Sequence, residues 1–154
     1  MYARLIACVM FLAAAPAMAC ELDIVDLRSD TGKARFRVEI ADDNAERAQG
    51  LMQVESMGRF NGMLFIYDEP IRATFWMKNT LIPLDMLFIN SQGVVTRVHE
   101  NATPLSETTI DGGEGVLAVL EINGGLAKSL GLGVGTEVRH PAFAELSPVW
   151  PCEN

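Results

Sequence analysis

Gly62-Met63-Leu64-Phe65-Ile66-Tyr67 is an unbroken apolar run, closed by Asp68-Glu69-Pro70. A run this short suits a strand covered on both faces and ended by a turn. Thr74 to Met77 and Leu84 to Ile89 read the same way, and Asn90-Ser91-Gln92-Gly93 joins the latter to Val94 through Val98 as a hairpin. Upstream, Phe36, Val38 and Ile40 alternate with Arg37 and Glu39, the period of a first strand with one face buried. Asp43-Asn44-Ala45-Glu46 then matches a capping box, and Gly50 supplies a stop, which predicts one short helix. Downstream, Asn101 to Gly113 reads as the longest loop and Gly115 to Ile122 as another strand. Gly124 and Gly125 lead into one or two helical turns over Leu126 to Leu130, and Gly131, Gly133 and Gly135 punctuate the approach to Thr136 through Arg139. Short strands spaced by Gly, Pro and Asn turns describe an all-β, antiparallel sandwich or barrel with one or two short helices.

The first 19 residues carry a different pattern. Arg4, an apolar run from Leu5 to Ala15, and the small residues Ala17 and Ala19 have the layout of a cleavable export signal. The run is about a dozen residues, short of the roughly 20 that a membrane-spanning helix needs. Cleavage after Ala19 would leave 135 of the 154 residues, from Cys20 to Asn154, as a single domain. It would also remove one basic and no acidic residue, taking the formal charge from −8 to −9. Such a surface repels phosphate backbones, so nucleic-acid binding is disfavoured.

Cys8 would leave with the signal, and Cys20 and Cys152 then stand at the two ends of the chain. In an oxidising compartment the simplest reading is a disulfide between them, closing a loop of about 130 residues at about 5 kcal/mol in the chain-entropy description. The rival reading is a lipid on Cys20 at the first mature position, although Ala17-Met18-Ala19 lacks the Leu usual three residues before a lipidated Cys.

The densest chemistry is in Phe75-Trp76-Met77-Lys78-Asn79-Thr80-Leu81-Ile82-Pro83-Leu84-Asp85. At positions i and i+2 of an extended chain, Trp76 and Lys78 share a face, setting a flat stacking surface beside a cation. That suits a sugar, or another ligand with an apolar face and acceptor groups. The plainer reading makes Trp76 core, pairs Lys78 with Asp85, and puts Asn79 and Thr80 in a turn. Arg47 either pairs on the surface with Glu46 or Glu55, or reaches a ligand carboxylate. Asp85, His99, Glu100 and Glu107 are available acids and bases, with Asp85 and Glu100 the weak candidates for a glycosidase pair. His99 and His140 have no ligand spacing, and Met52, Met57, Met63, Met77 and Met86 sit mostly in apolar runs where Met is core filler, so no metal or cofactor is expected.

Four segments together resemble the bacterial and archaeal domain of unknown function 192 family, also known as uncharacterised protein family 0127. They are Glu46-Arg47-Ala48-Gln49-Gly50-Leu51-Met52, Gly62-Met63-Leu64-Phe65, Phe75 to Asp85 with Phe88 and Ile89, and Gly131 to Val138. The resemblance spans roughly Phe36 to Phe143 and implies a small all-β fold with short helices, often secreted or membrane-tethered, with no established activity. Its signature includes Arg47, Trp76, Lys78, Asn79 and Asp85, which raises the weight of a functional surface there. The leading expectation is a non-catalytic ligand-binding or accessory module of the bacterial cell envelope, periplasmic or secreted and with Cys20 as the place of any lipid anchor, taking a small polar ligand such as a carbohydrate. A hydrolase of a sugar or envelope component using Asp85 and Glu100, and a purely structural envelope protein, are the alternatives.

Overall fold

The computed structural model describes residues 20–152, so the export signal expected over Met1 to Ala19 lies outside the described residues. Seven strands run in the order β1 (Ile24–Arg28), β2 (Lys33–Ala41), β3 (Asn61–Phe75), β4 (Leu84–Asn90), β5 (Val95–Ala102), β6 (Ile110–Asn123) and β7 (Glu137–Arg139). Helix α1 (Asn44–Gln49) lies between β2 and β3, and α2 (Leu126–Ser129) and a 3₁₀ turn (Pro141–Leu146) flank β7. No helix among the described residues is long and apolar enough to cross a membrane.

The strands form one sheet in the order β5-β4-β6-β3-β2-β1-β7. It curls into a half-barrel, and its two ends approach each other where Val94 bridges Glu137 and Val138 N–H donates to the Gly93 carbonyl at 2.7 Å. The mostly β, single-domain reading holds, with one correction to the antiparallel expectation: β2 and β3 pair in parallel, Arg37 opposite Asn61 through Ala41 opposite Phe65. A parallel pair needs a crossover, and the connection from Asp42 to Phe60, with α1 in it, supplies one. The capping box is present in full, with Asp43 accepting from Glu46 N–H and Glu46 reaching back to the Asp43 backbone.

The unbroken apolar runs follow from burial on both faces. On β3, Leu64 joins one core cluster while Met63 and Phe65 join the other. On β4 the same division puts Leu87 and Ile89 against Met86 and Phe88, and on β6 it puts Leu120 and Ile122 against Val119. A strand covered on both sides has no polar face to alternate with.

Three further differences from the sequence reading have local causes. The turn expected at Asp68-Glu69-Pro70 is absent, because β3 runs on to Phe75 and absorbs the segment through register shifts against β6 between Ile66 and Thr74. Pro70 is exposed there, where a bulged ladder tolerates a missing N–H. The strand read as first is second, since β1 precedes it and pairs with both β2 and β7. The long loop shrinks to 103–109, because β6 begins at Ile110.

Cys20 and Cys152 are joined in a disulfide, Cα to Cα 5.6 Å. The same edge is sewn by His140, whose Nδ1 accepts from Ala142 N–H and whose Nε2 donates to the Leu22 carbonyl at 2.8 Å. His140 is thus a buried cap, and burial holds its imidazole below the ordinary value.

At Gly112, an added Cβ would sit 2.2 Å from the Phe88 ring, which is fully buried. We expect Gly112→Ala to cost about 1–3 kcal/mol as an overpacking change, read as a lower urea midpoint; an unchanged midpoint would mean that Phe88 has room to rotate away.

Candidate functional site

The Phe75 to Asp85 segment leaves the end of β3 and splits into two parts with different jobs. Phe75 stays in the core, edge-on to Phe65 at 5.1 Å and to Phe88 at 5.9 Å. The chain then exposes Trp76, buries Met77, and returns Lys78 to the surface, with Nζ 5.0 Å over the indole. Trp76 and Lys78 therefore do share a face, and Trp76, 47% exposed, is not core. A short turn follows, with Thr80 N–H donating to the Met77 carbonyl.

Two neighbouring loops clamp this turn. Gln53 N–H donates to the Asn79 carbonyl at 2.9 Å, and Leu105 N–H to the Thr80 carbonyl at 3.1 Å. Gln53, Asn79 and Leu105 all have φ between 55° and 63°, a left-handed conformation that costs a branched residue such as Leu about 1 kcal/mol or more. The Asn79 amide also reaches Met52 Sδ at 4.0 Å.

Asp85 does not belong to this surface. Its carboxylate is fully buried: Oδ1 accepts from Asn101 N–H and Gly125 N–H, and Oδ2 from Ala127 N–H, each at 2.8 Å. Those three donors fix the left-handed Asn101 at the end of β5 and the first turn of α2. With its oxygens so occupied, Asp85 neither pairs with Lys78 nor offers a lone pair to a substrate. Glu100, its expected partner in hydrolysis, lies exposed on β5. The structure thus separates the two carboxyls by role, one structural and one solvated.

Arg47 is likewise tied inward. Its guanidinium donates to the carbonyls of Asp42 and Ile66, the latter at 2.7 Å, and to Asn44 Oδ1 at 2.9 Å, and lies 5.3 Å from the Tyr67 ring centre. It stitches α1 to β3 and forms no carboxylate pair among the described residues. Its remaining face borders a cavity of about 40 Å³, walled by Gly50, Leu51, Phe65, Phe75, Trp76 and Thr80.

Glu121 also lines that cavity. On β6 it stands opposite Met63 of β3 and Met86 of β4, within the apolar second face of the sheet, and is 4% exposed. Burial alone pushes its carboxyl up to about 8, with no hydrogen bond or charge to offset it. Tyr67 beside it is also raised, mainly by burial, with Arg47 opposing and Glu121 reinforcing. A larger hollow of about 590 Å³ lies between the β1–β2 turn and the Gly131–Gly135 loop, where Arg28 Nε pairs with Glu137 Oε2 at 2.6 Å and Asp30 is also part of the lining.

A family model for an uncharacterised family, DUF192, matches residues 25–140. The chain belongs to the DUF192 family. This DUF192 chain also resembles two solved structures. One is a protein of unknown function from Novosphingobium aromaticivorans DSM 12444, 43% identical over 75% of this chain and 82% of that one, with a TM-score of 0.73. The other, from Sinorhizobium meliloti 1021, is described as a candidate transcription regulator; it is 43% identical over 79% of this chain and 95% of that one, with a TM-score of 0.74. No curated protein matches.

Glu121 of this DUF192 domain was invisible among the signature residues. It sits inside Gly115-Val116-Leu117-Ala118-Val119-Leu120-Glu121-Ile122, and the signal that marks it is the anomaly itself: one carboxyl in a strand with no polar face.

Proposed function

We propose that this protein is an exported binding module that takes a small polar ligand of carbohydrate type on the indole of Trp76, beside Lys78. The observation that carries the reading is the half-exposed Trp76 with an ammonium over its ring, lining a cavity that also holds a buried acid. Strained loops that bond to each other hold this arrangement through their own backbone, as expected of a preorganised site. Asn79 and Arg47 act behind it, shaping the turn and the cavity wall. Export is supported by the signal-like start and by a disulfide joining Cys20 to Cys152, a bond suited to an oxidising compartment. The hydrolase reading loses its pair, since Asp85 is committed to three backbone donors.

The test is a thermal-shift screen with hexoses, amino sugars and their N-acetyl derivatives. A ligand at 100 times its Kd adds about 2.7 kcal/mol, a shift of several degrees for a domain of this size. Trp76→Ala should abolish the shift while changing the unliganded stability by less than about 1 kcal/mol, because the ring is half exposed. A shift that survives in Trp76→Ala removes the indole as the platform; no shift with any sugar removes the reading.

A further inference from the structure

We propose that the Glu121 cavity is a subsite for an acetamido group, and hence that the ligand is an N-acetylated sugar whose carbonyl oxygen accepts a hydrogen bond from the Glu121 carboxylic acid. The inference rests on the sugar-binding reading of Trp76 and goes beyond it by naming the group that enters the cavity and the residue that reads it.

Size limits what can enter. A cavity of about 40 Å³ has room for about three water-sized groups at 10–15 Å³ each. A sugar ring cannot enter, so the ring stays outside against Trp76 and only a substituent goes in. A carbonyl carbon, its oxygen and a methyl fill that space. The walls select among substituents of that size. Leu51, Phe65 and Phe75 give the cavity an apolar side that suits a methyl, and Arg47, Gln49, Thr80 and Glu121 a polar side that suits a carbonyl oxygen, a pairing that an acetamido group matches.

Glu121 completes the match. Glu121 is nine-tenths buried, and no donor among the described residues reaches its carboxyl. A carboxylate there would be an uncompensated buried charge, so the neutral acid is the resident form near neutral pH, a form that can donate. Its natural complement is a group that accepts without carrying charge, as an amide carbonyl does.

The surroundings leave the protonation to Glu121. From α1 the facing charge is Arg47, held by two carbonyls and Asn44, and from β3 the facing titratable group is Tyr67, a phenol that burial keeps neutral. β4 presents Met86, and Phe75, Trp76 and Thr80 complete the wall without a titrating group. Donation therefore disappears as pH rises through about 8.

The experiment is titration calorimetry of the disulfide-intact domain with N-acetylglucosamine and with glucose, at pH 6 and pH 9.5. N-acetylglucosamine should bind at least about tenfold tighter than glucose at pH 6, from one buried methyl and one hydrogen bond. At pH 9.5 Glu121 has largely lost its proton, so the preference should disappear and the affinity for N-acetylglucosamine should fall about tenfold, to that of glucose. Glu121→Gln, whose carboxamide donates at either pH, should keep the tenfold preference and lose the pH dependence. Glu121→Leu should lose the preference while still binding on Trp76. Equal binding of the two sugars, or the same pH dependence in Glu121→Gln as in the wild type, overturns the subsite and leaves the Trp76 platform standing. Failure of both sugars to bind at either pH overturns the platform as well.

Discussion

Asp85→Ala is expected to lower the stability of the domain by about 5 kcal/mol, enough to unfold much of it at 37 °C. The carboxylate accepts three backbone N–H groups, from Asn101, Gly125 and Ala127, and is fully buried. Removing it leaves three donors without partners at about 1–3 kcal/mol each, less than additively because they share one acceptor group. Against a typical total of about 5–15 kcal/mol, that is a large fraction. Asp85→Asn should recover part of the loss, since its single carbonyl oxygen can keep the two bonds to Oδ1, but its amide would then face the Ala127 N–H. Urea unfolding followed by circular dichroism measures both. A loss below about 1 kcal/mol in Asp85→Ala would show that water enters to replace the carboxylate, and would return Asp85 to the list of solvent-reachable groups.

The second large effect has the opposite sign. Glu121→Leu is expected to stabilise the protein, increasingly so as pH rises. The folded carboxyl titrates at about 8 against an ordinary value of 4.5. Below 4.5 both folded and unfolded chains hold the proton, and there is no cost. Between 4.5 and 8 the unfolded chain releases the proton while the folded chain keeps it, so wild-type stability declines with rising pH to a limit of about 5 kcal/mol. His140 and Asp26 have lowered folded values, so their contributions are lost only as pH falls. The window from pH 6.5 to 9 therefore isolates Glu121, and the wild type should lose about 2 kcal/mol across it that Glu121→Leu does not. Parallel pH profiles for the two proteins would mean that the folded carboxyl ionises easily, and that the cavity is wet enough to solvate it.

What could be read in advance, and what could not, divides along the range of the interactions. The Asp43–Glu46 capping box is local, and it stands as read. Strands buried on both faces announce themselves as runs without alternation, as Gly62–Tyr67 and Leu84–Ile89 do. β1 is only five residues long and is held from both sides, by β2 nearby and by β7 far along the chain, so its pattern alone is too brief to register. Pro70 read as a stop because a bulge that accommodates it depends on the partner strand β6. The site divides in the same way. Trp76 beside Lys78 follows from residue spacing. Asp85 reads as a candidate acid because its donors come from 16, 40 and 42 residues away, which no local pattern reveals. Arg47 looked available for a ligand for the same reason, with Ile66 its hidden partner.

The bond between Cys20 and Cys152 has a mechanical meaning as well. Its Cα atoms are 5.6 Å apart, yet the two residues are 132 positions apart along the chain. A pull applied at the two cysteines is carried across the two sulfurs and does not load the sheet. Whatever is attached at either end, the half-barrel hangs beside the line of force as a slack loop and keeps its shape under tension until the bond is reduced.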